Sequence, residues 1–117
     1  MGLFVKDKEI IDISPAHVAK VMQVKKTLDK NAEKINMLIV LAKSNHSIEQ
    51  QLKDLYIEIK YSNPVVSEEV ERIDKEISDK LDSIKLILSR GKLRSDLALN
   101  HNLRDLNQLV VERRANE

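Results

Sequence analysis

Residues 67–90 read SEEVERIDKEISDKLDSIKLILSR, and this stretch decides the fold class. Its apolar residues recur in steps of three or four, which is the period of one face of an α-helix. They are Val70, Ile73, Ile77, Leu81, Ile84 and Leu88. Ser67 is placed to cap the helix, and the glutamates that follow it are favoured by the helix dipole. Arg90 and Gly91 supply a cation and a glycine where a helix is expected to end.

The same period continues upstream and predicts a first long helix over about residues 15–44, roughly 45 Å in length. Ser14 is its expected cap, and Pro15 fits the first helical position, where an amide hydrogen has no partner to lose. The apolar positions of this helix are Val18, Val21, Val24, Leu28, Ala32, Ile35, Ile39 and Ala42.

A polar interruption at residues 44–47 separates this helix from a second one. Ser47 and Gln50 have the spacing of a capping box, so we expect the second helix to begin at Ser47. Its stripe is Ile48, Leu52, Leu55 and Ile59, and it must end near Tyr61, because the residue before Pro64 disfavours helical geometry. A bent but continuous helix through the interruption is the alternative.

The last segment, residues 92–114, carries a looser apolar stripe and predicts a fourth helix. The stripe consists of Leu93, Leu97, Leu103, Leu106 and Val110. If Ser95 caps this helix, residues 92–94 form a linker. Residues 1–13 fit neither period and are expected to be an N-terminal arm, whereas residues 115–117 are expected to fray. The predicted fold is an all-α, antiparallel bundle of three to four helices with coiled-coil-like packing, in one domain over residues 14–114.

The amino-acid composition further restricts the fold class and the kinds of ligand that the protein could bind. The 117 residues include 2 Gly and 2 Pro, too few for a β-sandwich or barrel, which needs a turn about every 8–12 residues. Aromatic residues make up 3% of the chain, so aliphatic helix-to-helix seams are favoured over a deep ligand pocket. The net charge of +1 provides no overall attraction for nucleic acid or an anionic membrane.

The sequence contains few of the residues and motifs that catalysis requires. There is no cysteine, no glycine-rich phosphate loop and no strand–turn–helix setting for a nucleophilic serine. The histidines, His17, His46 and His101, fall on different predicted elements, whereas a metal needs three or four converging ligands. We therefore expect no enzymatic activity, no metal, no cofactor and no small-molecule substrate.

Unequal helix lengths point to an interaction surface. A second helix of about 15 residues covers only half of a first helix of about 30. Val18, Val21 and Leu28 should then lie on an apolar surface that another helix covers, either from a second copy or from a partner protein. The expected function is thus a non-catalytic helical assembly or adaptor protein, with a composition that also fits a bacterial or bacteriophage accessory protein.

A basic C-terminal quarter supports the alternative function, that of a small nucleic-acid-associated regulatory protein. The candidate phosphate-facing patch comprises Arg90, Lys92, Arg94, Arg104, Arg113 and Arg114. No aromatic residue follows Tyr61, so this segment cannot stack on bases. The absence of cysteine and of a long apolar run leads us to expect a cytoplasmic protein without a membrane partner.

Overall fold

The computed structural model describes residues 14–90 and 96–117 of the chain. These residues are 86% helical, contain no strand and form four helices. The helices are α1 (Pro15–Leu41), α2 (His46–Lys60), α3 (Glu68–Arg90) and α4 (Asp96–Ala115). The predicted all-α bundle is confirmed. The N-terminal arm of residues 1–13, the linker at 92–94 and the cap at Ser95 lie outside the described residues.

The beginning of α1 follows the sequence, and its end comes earlier than expected. The Ser14 hydroxyl accepts a hydrogen bond from the backbone N–H of His17 at 3.2 Å, so Ser14 is the N-cap. The helix ends at Leu41, and the N–H of Ala42 closes it by bonding to carbonyls of the last turn. A turn follows, and the alternative of one continuous bent helix is therefore wrong.

The cap of α2 is Asn45, two residues before the predicted Ser47. The side-chain oxygen of Asn45 accepts from the N–H of Ile48 at 3.2 Å, which satisfies an amide that the helix leaves free. Both starting points place the same apolar stripe on the same face, so periodicity alone does not choose between them. The other end of α2 is as predicted, with Tyr61 as its C-cap.

The predicted boundary of α3 is confirmed. The Ser67 hydroxyl accepts from the N–H of Val70 at 3.0 Å, and the N–H of Glu71 bonds to the Ser67 carbonyl. The predicted stripe from Val70 to Ile84 is buried, and Leu88 is half-buried near the helix end.

The stripe of α4 differs from the prediction at one residue. Leu97 is 83% exposed, and Leu99 takes the expected core position. Leu97 and Leu103 stand six residues apart, about 240° around a helix, whereas Leu99 and Leu103 stand four apart on one face. Leu93 lies outside the described residues. The tail after Ala115 carries a contact, described below, between Glu117 and Arg113.

The helices are arranged as two antiparallel hairpins, α1–α2 and α3–α4, that pack side by side. Between the hairpins α1 and α3 are neighbours and run parallel, because Asn31 contacts Asp74 and Lys34 contacts Asp82. Residues 61–67 connect the hairpins by crossing one end of the bundle.

The core is aliphatic along the whole bundle. The buried apolar residues are Leu28, Ala32, Ile35, Leu38, Ala42, Ile48, Leu52, Leu55, Ile59, Val70, Ile73, Ile77, Leu81, Ile84, Leu99, Leu103, Leu106 and Val110. Each fully buried aliphatic side chain contributes about 1.5–3 kcal/mol of transfer free energy, so this cluster drives folding. None of the helices in the described part of the chain is long and apolar enough to cross a membrane.

The hairpins are offset along the bundle axis. The molecule measures 62 Å along that axis, although α1, the longest helix, spans only roughly 40 Å. Asn31 lies level with Asp74, so the first residue of α3, six positions earlier, lies near Lys25. No residue from 14 to 27 is buried. The turns of α1 that precede Lys25 therefore lie beyond the start of α3. Residues 15–27, none of which is buried, are here named the α1 extension.

The cap assignments make a paired prediction. Ser67→Ala removes the hydroxyl that satisfies the Val70 amide and should lower the free energy of unfolding by about 0.5–2 kcal/mol. Ser47→Ala is the matched control, because Ser47 is exposed and caps nothing; its effect should stay within about 0.5 kcal/mol. Urea denaturation followed by circular dichroism measures both. Equal midpoints for the two variants would contradict the assignment of Ser67 as the cap of α3.

Candidate interaction surface

The three residues of the predicted interface have different environments. Val18 is 43% exposed and Val21 is half-buried, both on the α1 extension. Leu28 is only 3% exposed and belongs to the core of this chain. The placement of Leu28 in the interface is therefore wrong, because the end of the first hairpin already covers it. Met22, which sequence reasoning passed over, is 65% exposed beside Val18.

Spacing puts the apolar side chains of the α1 extension on one face. Val18 stands three residues from Val21 and four from Met22, so the three share a side of the helix. Val21 is seven residues before Leu28, so the exposed face continues the stripe that enters the core. An isolated helix of about 12 residues is marginally stable in water, and most helical stability comes from packing of an apolar face. In the part of the chain that the structure describes, Val18 and Met22 of this face are left exposed.

A groove runs between the α1 extension and the beginning of α3, with a volume of about 780 Å³. Lys20 and Val24 line it from α1, Val66 from the connection, and Glu68 and Glu71 from α3. Its apolar floor and charged rim resemble the anatomy of a protein-binding surface rather than an enclosed ligand site.

The α1 extension and the beginning of α3 differ in charge. Residues 15–27 contain Lys20, Lys25 and Lys26 and no acidic residue. The first turn of α3 contains three glutamates, at positions 68, 69 and 71. Glu69 is engaged by Arg72, whose hydrogen bond lowers the pKa of the Glu69 carboxyl. One end of the bundle therefore carries a basic helix beside an acidic one.

The candidate phosphate-facing patch is not assembled as predicted. Arg113 is 1% exposed and points into the bundle, and Arg114 pairs with Glu58 of α2. Arg90 ends α3 sixteen residues beyond the level of Asp74 and Arg113, or roughly 24 Å away. Arg104 is exposed on α4. It lies between these two levels along the bundle, because its neighbour Asp105 pairs with Lys80 of α3. Lys92 and Arg94 lie outside the described residues.

The burial of Arg113 reflects a cluster of polar groups inside the bundle, near the end that residues 61–67 cross. Its guanidinium donates to the Asp74 carboxylate through Nε at 2.6 Å and through Nη2 at 3.4 Å. Its Nη1 donates to the backbone carbonyl of Asn63 at 3.1 Å and to Glu117 Oε2 at 2.6 Å. Asn31 of α1 donates to the Asp74 carbonyl at 3.3 Å. These residues form the Arg113 cluster, which joins α1, α3, α4 and the connection.

Each polar group of the Arg113 cluster has a partner. In the part of the chain that the structure describes, no buried side-chain nitrogen or oxygen lacks a hydrogen bond. Burial raises the pKa of the Asp74 carboxyl, and the Arg113 guanidinium opposes that rise by favouring the ionised form. A satisfied, enclosed ion pair fits a structural role, because it presents no accessible group to a substrate.

Sequence reasoning missed this cluster although a signal was present. Asp74 stands four residues after Val70 and three before Ile77, so it falls on the apolar stripe of α3. Arg113 likewise follows Val110 by three residues. A charged residue on an apolar stripe is rarely buried without a partner, and two of opposite sign suggest an ion pair.

The histidines remain separate. His46 Nδ1 lies 3.5 Å from Glu49 Oε1, and His101 Nε2 lies 3.6 Å from Asp105 Oδ2. Each contact lies within one helix and joins an exposed histidine to a half-buried acidic residue. Among residues 14–90 and 96–117, no three side chains of the metal-binding types come together.

Comparison with known proteins found no family model, no curated protein and no solved structure that matches this chain.

The Arg113 cluster predicts an asymmetric response to mutation. Arg113→Met leaves Asp74 buried without its cation and should lower the free energy of unfolding by about 3–5 kcal/mol. The control Arg114→Met removes an exposed ion pair and should cost less than about 1 kcal/mol.

A second substitution tests whether the loss comes from the stranded charge. Asp74→Leu added to Arg113→Met should recover much of the stability, because an apolar pair can replace a buried ion pair. Urea titration of the two single variants and the double variant forms the cycle. If Arg113→Met unfolds no more easily than Arg114→Met, the cluster does not stabilise the bundle.

Proposed function

We propose that this protein is a non-catalytic helical assembly or adaptor protein, whose α1 extension packs against another helix. The observation that carries the proposal is the apolar face of Val18, Val21 and Met22. Val18 and Met22 are exposed, and the half-buried Val21 continues the core stripe of α1. Packing of this face would bury three apolar side chains in a coiled-coil-like seam. It also agrees with the composition, which favours helix-to-helix contacts.

Burial of the apolar face would supply part of the binding free energy. Full burial of one such side chain contributes about 1.5–3 kcal/mol, and about 1.4 kcal/mol corresponds to a tenfold change in affinity. The entropy cost of association opposes this gain. On composition, we place this assembly in the cytoplasm.

The alternative of a nucleic-acid-associated regulatory protein receives less support. Of the described members of the basic patch, Arg113 and Arg114 are engaged by Asp74 and Glu58, and Arg90 lies at the opposite end of the bundle. Phosphate contacts require exposed cations that are close together. The assembly function is therefore the one we retain.

A photocrosslinking experiment tests the proposed surface. A photoreactive amino acid such as benzoylphenylalanine is placed at position 21 and, as the matched control, at Val111, which is 64% exposed on α4. Irradiation of the native cells should produce crosslinked protein from position 21 well above the level from position 111.

The crosslink should depend on the apolar face. Val18→Gln together with Met22→Gln should abolish it, with helicity retained and each exposed substitution changing stability by no more than about 0.5 kcal/mol. Absence of protein crosslinks from position 21, or crosslinks that survive the double substitution, would contradict the proposal.

A further inference from the structure

The end of the bundle that carries the α1 extension holds both halves of a possible interface. The extension offers an apolar face flanked by lysines. The groove next to it has Val24 and Val66 as its apolar residues, and its charged lining comprises Glu68, Glu71 and Asp74 together with Lys20 and Lys75. Val66, at the floor of the groove, is 36% exposed, and Tyr61 at the same end of the bundle is 74% exposed. One chain thus contains a helix and a groove of complementary character.

Two lysines of the extension lie next to its apolar face. Lys25 follows Val21 by four residues and Met22 by three, and Lys26 follows Met22 by four. Both lysines are exposed. A helix that packs through Val21 and Met22 therefore brings these ammonium groups to the edge of the contact.

The complementary carboxylates are Glu68 and Glu71, which line the groove. Both are exposed, and among the described residues neither takes part in an ion pair. Glu69 and Glu76, by contrast, are engaged by Arg72, which also reaches Glu112 of α4 at 2.8 Å. Free carboxylates beside an open groove favour a basic helix as its occupant.

The charge distribution argues against the simplest dimer, in which the two extensions pack only on each other. Every ionisable residue between positions 15 and 27 is a lysine or a histidine, so such a seam would place like charges together. Seating the extension of one copy in the groove of the other instead brings Lys25 and Lys26 near glutamates.

From this complementarity we propose that the protein forms a two-fold symmetric dimer, in which the α1 extension of each copy lies in the groove between α1 and α3 of the other. The inference rests on the proposed function and names the partner as a second copy of this chain. The contact is isologous, so each apolar and each charged pairing occurs twice. The dimer would bury the face of Val18, Val21 and Met22 against Val24 and Val66.

A charge-swap experiment tests this arrangement. The extension variant carries Lys25→Glu and Lys26→Glu, and the groove variant carries Glu68→Lys and Glu71→Lys. Each variant alone sets like charges against each other at both contacts, so its dimer should weaken at least about tenfold. Circular dichroism checks that both remain folded, since the groove variant loses acidic residues from the first turn of α3.

Mixing the two variants provides the decisive readout. In the mixed pair, the glutamates of one extension meet the lysines of one groove, and the wild-type pairing is kept at the other contact. Sedimentation velocity should therefore show a dimer in the equimolar mixture and in the variant with all four substitutions. Wild type should be a dimer that dissociates on dilution.

The opposing outcomes separate this inference from the proposed function. A wild type that is monomeric at every concentration, with position-21 crosslinks to a different protein, would overturn the second copy as occupant and leave an adaptor function. A dimer that survives the extension variant, or a mixture that stays monomeric, would overturn the reciprocal arrangement. Failure of all crosslinking from position 21 would overturn the proposed function as well.

Discussion

Arg113 of α4 donates to Asp74 of α3 inside an otherwise aliphatic core, and the same cluster reaches Asn31 of α1 and the carbonyl of Asn63. Stripes of leucine and isoleucine are tolerant of sliding by one repeat, because one aliphatic contact replaces another. A buried ion pair does not tolerate such sliding, because a shift that separates the charge from its partner costs about 3–5 kcal/mol. The Arg113–Asp74 pair therefore fixes the register of α4 against α3, and the hydrogen bond from Asn31 to the Asp74 carbonyl ties α1 to the same level.

That register creates the surface on which the proposed function rests. With Asn31 held level with Asp74, α3 begins near Lys25, and the first turns of α1 lie beyond the beginning of α3. Had the hairpins been aligned at their ends, Val18 and Val21 would pack inside the bundle. The offset instead leaves an apolar, basic helix next to an acidic groove. The buried contact between Asn31 and Asp74 thus determines which turns of α1 are left exposed.

Much of the local structure could be predicted because it depends on neighbours in the sequence. Ser14 and Ser67 act as caps where they were expected, and the stripes of α2 and α3 are buried. The errors also have local causes. Asn45 and Ser47 can each cap a helix that carries the same apolar stripe, and the structure uses Asn45. Leu97 is apolar, but its angular position on α4 places it away from the core. The candidate site was predicted in part, since Val18 and Val21 are on the extension and Leu28 is not.

The sequence by itself determined that the chain is helical, where α1 and α3 begin, and which face of α2 and of α3 is apolar, since these depend on contacts within three or four residues. Only the tertiary structure decided that α1 and α3 are parallel neighbours, that Arg113 is buried rather than free for phosphate, and that the first turns of α1 lie beyond the start of α3. These properties depend on pairs such as Asp74 and Arg113, 39 residues apart. No periodic pattern records such a distance, because burial of a charge is favourable only when its distant partner arrives with it.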